Sequence, residues 1–190
     1  MAEVLLFHHA LGLTPGVVSF ADRLRGEGHV VHTPDLYEGK TFDSVDDGVA
    51  NAREVGFGTI LERGRAAAED LPNELVYGGF SLGVMPAQML AQTRPGAQRA
   101  LFFYAALPPS EFESAWPEGV PLQIHMMEGD EWAQEDLPAA RELVESTDDA
   151  ELFLYPGESH LFADSSLGDY DEPAATKLKG RVLAFLNDVG

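Results

Sequence analysis

The chain has 190 residues, 45% of them hydrophobic, and its 32 acidic and 12 basic residues give a formal charge of −20. This size and composition fit one domain with a sizeable core, and the charge argues against binding to nucleic acid or anionic membranes. Cysteine is absent, which excludes disulfides, thiolate metal sites and a cysteine nucleophile.

Short β-rich runs alternate with longer amphipathic segments along the chain. We predict strands at residues 4–8, 30–32, 75–80, 100–104, 122–126 and 151–155. We predict helices at residues 15–26, 58–70, 82–93, 135–145 and 172–187. Regions 37–57 and 108–119 are predicted to be irregular. We expect a single α/β domain over residues 1–190, with a mostly parallel sheet covered by helices on both faces.

The N-terminal apolar run has no basic segment before it. It ends at His8 and His9, which makes it too short for a signal peptide or a membrane span. We therefore expect a cytoplasmic protein without a membrane partner, present as a monomer or a small homo-oligomer.

The most informative motif follows the third predicted strand and reads Gly79-Phe80-Ser81-Leu82-Gly83. Its spacing is typical of a nucleophile elbow, in which a sharp strand-to-helix turn exposes a strained central serine. Small residues two positions before and after the serine let the helix pack against the strand. The alternative is that Ser81 only caps the helix that starts at Leu82.

A serine nucleophile needs a histidine as its base and a carboxylate that orients the histidine. Asp130 follows the fifth predicted strand and His160 follows the sixth, so both should lie at the same sheet edge as Ser81. The chain order Ser, Asp, His is that of the α/β-hydrolase fold. Other carboxylates lie near Asp130, and five other histidines compete with His160: His8, His9, His29, His32 and His125.

Two backbone NH groups should stabilise the oxyanion of a tetrahedral intermediate, and we predict those of Leu82 and Ala10. His9 is a candidate for substrate contact, although adjacent histidines also occur in ordinary polar loops. Aromatic side chains that either line a pocket or belong to the core are Phe42, Phe57, Trp116, Trp132 and Phe162.

Metal and nucleotide sites are not expected. The histidines lack a metal-binding spacing such as His-x3-His, and His8 and His9 should point to different sides. The glycines around Ser81 fail the dinucleotide pattern, and the phosphate-loop lysine is missing. We predict neither a metal nor a cofactor.

The motifs together resemble the dienelactone hydrolase family over nearly the whole chain. The resemblance rests on the elbow motif and on Gly129-Asp130, Ser159-His160-Leu161-Phe162 and Pro34-Asp35-Leu36-Tyr37. It implies a compact α/β-hydrolase without a large cap or a cofactor, which hydrolyses a lactone or an ester. In that comparison Ser81, Asp130 and His160 match the triad, and Leu82 and Ala10 match the oxyanion donors.

Three positions depart from the family pattern. Ser81 replaces the usual cysteine, and His9 replaces a glutamate that the family keeps near the nucleophile. These two changes are consistent, because a thiol needs such a partner more than a hydroxyl does. Asp164 replaces an arginine that would pair with a substrate carboxylate, so we expect it to contact substrate and to repel anions.

We therefore predict a serine hydrolase that cleaves a small neutral or cationic ester, thioester or lactone through an acyl-enzyme. An acyl transferase or a thioesterase could use the same triad. A non-catalytic member of the fold that binds a small molecule or a protein is the alternative outside enzymes.

Overall fold

Six strands and six α-helices make up the computed structural model, which describes residues 1–188. The strands are β1 (Glu3–Phe7), β2 (Val30–His32), β3 (Val76–Phe80), β4 (Arg99–Phe103), β5 (Leu122–Met127) and β6 (Ala150–Tyr155). The helices are α1 (Pro15–Gly26), α2 (Val45–Val55), α3 (Phe57–Ala68), α4 (Val84–Thr93), α5 (Glu131–Ser146) and α6 (Glu172–Asn187). The last two positions of the predicted domain lie outside the described residues.

The strands form one sheet in the order β2-β1-β3-β4-β5-β6, and every neighbouring pair is parallel. Apolar side chains of α1 and α6 cover one face of the sheet, and those of α2 to α5 contribute to the core on the other face. Burial on both faces explains why the central strands read as continuous apolar runs. The prediction of a single α/β domain with a parallel sheet is confirmed.

All six predicted strands are confirmed, with ends that differ by at most one residue. Helices α1 and α6 also have the predicted bounds. The helix after the elbow is regular only from Val84, because residues 81–83 form a 3-10 turn. In region 108–119 the structure adds only a short 3-10 turn, Pro109–Phe112.

The prediction that residues 37–57 are irregular is wrong, because this region contains α2. Ser44 caps the helix by accepting a hydrogen bond from the Asp47 NH at 3.2 Å and donating its hydroxyl to the Asp47 carboxylate at 2.8 Å. A similar error concerns α5, which begins at Glu131 and not at the predicted residue 135. Asp130 supplies that earlier start, since its side chain caps the helix.

The parallel strands bring three chain segments together at their carboxyl edge. Ser81 follows β3, Asp130 lies just beyond β5, and His160 follows β6 after the four residues 156–159. Within residues 1–188 no inserted cap domain covers this edge, and no helix has the length and apolar character needed to cross a bilayer.

Candidate active site

The turn at Ser81 is sharp, and its backbone is strained. Ser81 has a φ of 49°, a left-handed conformation that side chains other than glycine rarely adopt. A Cβ on Gly79 would lie 2.1 Å from the Gly83 carbonyl oxygen, and one on Gly83 would lie 2.5 Å from the Phe7 oxygen. Both neighbours are backbone atoms, so only glycine fits at either position. The spacing that predicted an elbow therefore has a direct steric cause.

Ser81, His160 and Asp130 form a continuous hydrogen-bonded chain. The Ser81 Oγ lies 2.8 Å from His160 Nε2, and His160 Nδ1 lies 2.6 Å from Asp130 Oδ2. Asp130 is 1% exposed and His160 is 8% exposed, so bulk water screens this interaction only weakly. The structure thus brings together all three residues that the sequence predicted as a triad.

Asp130 has a second hydrogen bond that fixes its orientation. Its Oδ1 accepts from the Trp132 NH at 3.0 Å, at the first turn of α5, while its Oδ2 faces His160. The side chain also lies at the N-terminus of α5, the positive end of the helix dipole. Helix α5 therefore holds the carboxylate at the angle that the histidine requires.

Tyr104 is a neighbour of the triad that the sequence did not single out as a site residue. It lies one position beyond β4 with a φ of 73°, and its ring centroid is 5.7 Å from that of His160. Its buried hydroxyl accepts a hydrogen bond from the Ala163 NH at 3.1 Å, and burial raises the pKa of this phenol. The sequence signal for its closeness to the triad is its place at the end of β4, the strand next to β3.

The loop that carries Ala10 begins against the elbow, since a Cβ on Gly83 would lie 2.6 Å from the His8 carbonyl oxygen, and the His8 side chain anchors this loop. His8 Nδ1 donates to the His9 carbonyl at 2.8 Å, and its Nε2 accepts from the Leu36 NH at 2.9 Å. Burial lowers the pKa of His8 to about 4, so the ring is neutral at pH 7. The Ala10 NH has no hydrogen-bond partner within residues 1–188. The Leu82 NH belongs to the first turn after the strand, where helical NH groups lack intrahelical acceptors.

His9 and Asp164 face each other in the interior and not the substrate side. His9 Nε2 lies 2.8 Å from Asp164 Oδ2, and the two residues are 0% and 3% exposed. This corrects the expectation that Asp164 is an unpaired acid at a substrate carboxylate site. The prediction of direct substrate contact by either residue is not supported by their positions.

A groove of about 450 Å³ opens beside His160 and Asp130. Its lining includes three exposed carboxylates, those of Glu131, Glu158 and Asp169. Among the described residues no Lys or Arg lines it. Trp132 is 43% exposed in this groove, with its ring centroid 6.1 Å from that of His160.

Trp132 is the one predicted pocket residue that lines this groove among the described residues. Phe162 is a correction, because it is 0% exposed and belongs to the core between the sheet, α1 and α6. Phe42 packs against Tyr37 with their ring centroids 5.9 Å apart. Trp116 packs edge-on against a ring of β4, and Phe57 is 41% exposed at the start of α3. Most of these aromatic residues therefore lie in the core or on the surface and do not line the groove.

Asp136, one of the carboxylates close to Asp130 in the sequence, also lies near the site. Burial raises the pKa of Asp136 to about 6, and the backbone of Ala106 and then His160 partly offset that rise. Asp136 lies one helical turn after Trp132, so both face the same side of α5.

The parallel sheet, the helices on both of its faces and the strained turn after β3 define an α/β-hydrolase. The profile of the Dienelactone hydrolase family matches residues 1–190. The chain belongs to this family of hydrolases, and the resemblance noted in the sequence is confirmed.

Several solved structures share this fold at low sequence identity. A dienelactone hydrolase-like promiscuous phosphotriesterase from metagenomic libraries is 18% identical with a TM-score of 0.81, covering 100% of this chain and 87% of that one. Dienelactone hydrolase from Anabaena variabilis is 18% identical with a TM-score of 0.69, covering 97% and 84%. Esterase 2 of Thermogutta terrifontis, in a form phosphoramylated by tabun, is 17% identical with a TM-score of 0.61, covering 100% and 83%. No curated protein matches this chain in sequence.

Proposed function

We propose that this protein is a serine hydrolase that cleaves a small carboxylic ester, thioester or lactone through an acyl-enzyme. The observation that carries the proposal is the hydrogen-bonded chain from Ser81 through His160 to Asp130. Family membership supports a hydrolase, and a serine nucleophile supports the hydrolysis of carboxylic esters.

In this mechanism Ser81 Oγ attacks the carbonyl carbon while His160 Nε2 accepts the serine proton. Asp130 stabilises the imidazolium and keeps the Nδ1 proton directed toward itself. His160 then donates the proton to the leaving group, which departs and leaves the acyl group on the serine. A water molecule, deprotonated by His160, attacks the acyl-enzyme and releases the acid. The mechanism uses no metal and no cofactor.

The developing oxyanion is assigned to the NH groups of Leu82 and Ala10. One lies directly after the nucleophile and the other in the loop after β1, as the fold's usual arrangement requires. Each such donor contributes roughly 2.7–4 kcal/mol to lowering the barrier.

The substrate is assigned as neutral or cationic because of the groove beside the triad. Three exposed carboxylates line this groove without a Lys or Arg among the described lining residues, so an anionic substrate would meet like charge. The formal charge of −20 acts in the same direction over longer distances. Asp164 makes no contribution to this selectivity, because it is buried and paired with His9.

Active-site labelling tests the proposal. A fluorophosphonate probe should label the wild-type protein stoichiometrically at Ser81, and Ser81→Ala should abolish both labelling and hydrolysis of p-nitrophenyl acetate. Ser19→Ala removes an exposed hydroxyl from α1 and is the matched control, expected to behave as wild type. Absence of labelling in correctly folded wild-type protein would instead support a non-catalytic binding protein. Comparison of water with added alcohols or thiols as acceptors separates a hydrolase from an acyl transferase.

A further inference from the structure

Asp164 accepts four hydrogen bonds from three residues, although it belongs to no part of the proposed chemistry. Its Oδ2 accepts from His9 Nε2 at 2.8 Å and from Thr14 Oγ at 2.5 Å. Its Oδ1 accepts from the Ser166 NH at 2.9 Å and from the Ser166 hydroxyl at 2.6 Å. Burial opposes ionisation of this carboxyl, but these hydrogen bonds outweigh it and lower its pKa to about 2. Asp164 is therefore a buried carboxylate at pH 7 with all its acceptor capacity in use.

His9 makes one hydrogen bond with each of its ring nitrogens. Its Nδ1 accepts from the Leu11 NH at 3.3 Å, so the ring proton lies on Nε2, which donates to Asp164. His9 thus joins the backbone of its own loop to a carboxylate that is 155 positions away in the sequence. Ala10, the assigned oxyanion donor, lies between His9 and Leu11, so the hydrogen bond between these two residues spans it.

Asp164 is similarly joined to the loop of the catalytic histidine. Its NH donates to the Leu161 carbonyl at 3.0 Å, which closes a tight turn immediately after His160. Thr14 links the same carboxylate to α1, because the threonine hydroxyl also caps that helix by accepting from the Val17 NH at 3.3 Å. The hydrogen-bonded network therefore connects the loop after β1, the first turn of α1 and the segment after His160.

We propose that His9 and Asp164 are a positioning pair that holds the loop bearing the Ala10 NH in register with the segment bearing His160. This inference rests on the proposed function, since it assigns the pair a role in oxyanion stabilisation. The pair does not touch the substrate. Its contribution is to keep a donor and a base, carried by separate loops, at a fixed distance from Ser81.

Asp164→Asn is the primary test because it keeps the side-chain volume. One of the two oxygens becomes an NH₂ group, so either His9 or the Ser166 NH faces another donor and loses its acceptor. A displacement of the oxyanion donor by about 1 Å should lower kcat for p-nitrophenyl acetate roughly 100-fold. KM should stay close to the wild-type value, because the lost interaction belongs to the transition state. The inhibition constant of an alkylboronic acid, which forms a tetrahedral adduct on the serine, should rise in proportion to the loss in kcat.

His9→Gln provides the conservative rescue. A glutamine amide offers one donor and one acceptor, as the neutral imidazole does, and should keep most of the wild-type kcat. His9→Leu offers neither and should resemble Asp164→Asn. If Asp164→Asn does not fold, Ser166→Ala is the substitute, because it removes one hydroxyl donor to Asp164 from an exposed residue. It should also lower kcat, by a smaller factor.

Tyr77→Phe is the control for loss of stability alone. It removes a hydrogen bond of 2.9 Å to Arg94 far from the carboxyl edge, and should reduce stability while leaving kcat and boronate binding unchanged. The inference is overturned if folded Asp164→Asn retains the wild-type kcat, or if kcat falls without weaker boronate binding. It is also overturned if His9→Gln is as impaired as His9→Leu. Wild-type labelling at Ser81 is read in the same experiment, so failure of this inference is distinguishable from failure of the proposed hydrolase.

Discussion

Asp130→Asn separates the two hydrogen bonds that this carboxylate makes. In the wild-type protein one oxygen caps α5 at the Trp132 NH and the other accepts from His160. An asparagine can keep only one of these acceptors. The Trp132 NH is a fixed backbone donor, whereas an imidazole can move its proton between nitrogens. We therefore expect the amide oxygen to face Trp132 and the amide NH₂ to face His160.

This orientation forces the ring proton of His160 onto Nε2, where the proton points at Ser81 Oγ. Nε2 then cannot accept the serine proton. Loss of the correct tautomer in a serine triad lowers kcat about 10⁴-fold, which corresponds to roughly 5.5 kcal/mol of barrier. The helix cap survives, since asparagine caps as well as aspartate, and the free energy of unfolding should change by less than about 1 kcal/mol.

The assay measures kcat for p-nitrophenyl acetate and the urea unfolding curve of the same preparation. Asp171→Asn is the matched control, because Asp171 caps α6 through the Ala174 NH at 2.9 Å without contact to the triad. It should retain both stability and kcat. Folded Asp130→Asn with more than about one hundredth of the wild-type kcat would refute the orienting role of Asp130.

Three further predictions concern the triad, the elbow and a partly buried carboxyl. Ser81→Ala and His160→Ala should each lower kcat by several orders of magnitude with unchanged circular dichroism; near wild-type turnover in either would contradict the assigned roles. Gly79→Ala should be destabilised by about 3 kcal/mol or fail to fold, because its Cβ would meet the Gly83 oxygen, and a stable, fully active variant in urea unfolding would contradict the steric argument. Asp136 has a folded pKa of about 6, above the unfolded value near 3.8, so its contribution to stability is complete below pH 4 and is lost as pH rises through 6. Asp136→Asn should therefore raise the unfolding free energy at pH 8 by about 1 kcal/mol, after discounting for partial exposure, and should give no gain at pH 4. The control Glu135→Gln, at an exposed neighbour, should give no gain at either pH. Equal gains for Asp136→Asn at both pH values would contradict this prediction.

The strands and the order of the candidate triad could be predicted from the sequence because the signals are local. Each central strand is an apolar run bounded by Gly, Pro or charged residues, and parallel topology then places Ser81, Asp130 and His160 at one edge. Helix α2 also carried a local signal at its start, where the Ser44 hydroxyl bonds to both the backbone NH and the side chain of Asp47. That signal was masked by the Gly, Asp and Asn content of the region.

The positions of His9 and Asp164 could not be predicted in the same way. Two loops far apart in the sequence decide whether these side chains turn inward or toward the groove, and no periodicity reports such a choice. From the sequence alone, each residue suggests a substrate contact. Only the fold reveals the hydrogen bond of 2.8 Å between His9 and Asp164.

The acyl-enzyme is the species on which the account depends. Wild-type protein mixed with p-nitrophenyl acetate, quenched with acid within the first turnover and digested, should yield a peptide acetylated on Ser81. Acetylation should appear at the rate of the initial burst of p-nitrophenol. Turnover without acetylation of Ser81, or with the acetyl group on another residue, would contradict the account.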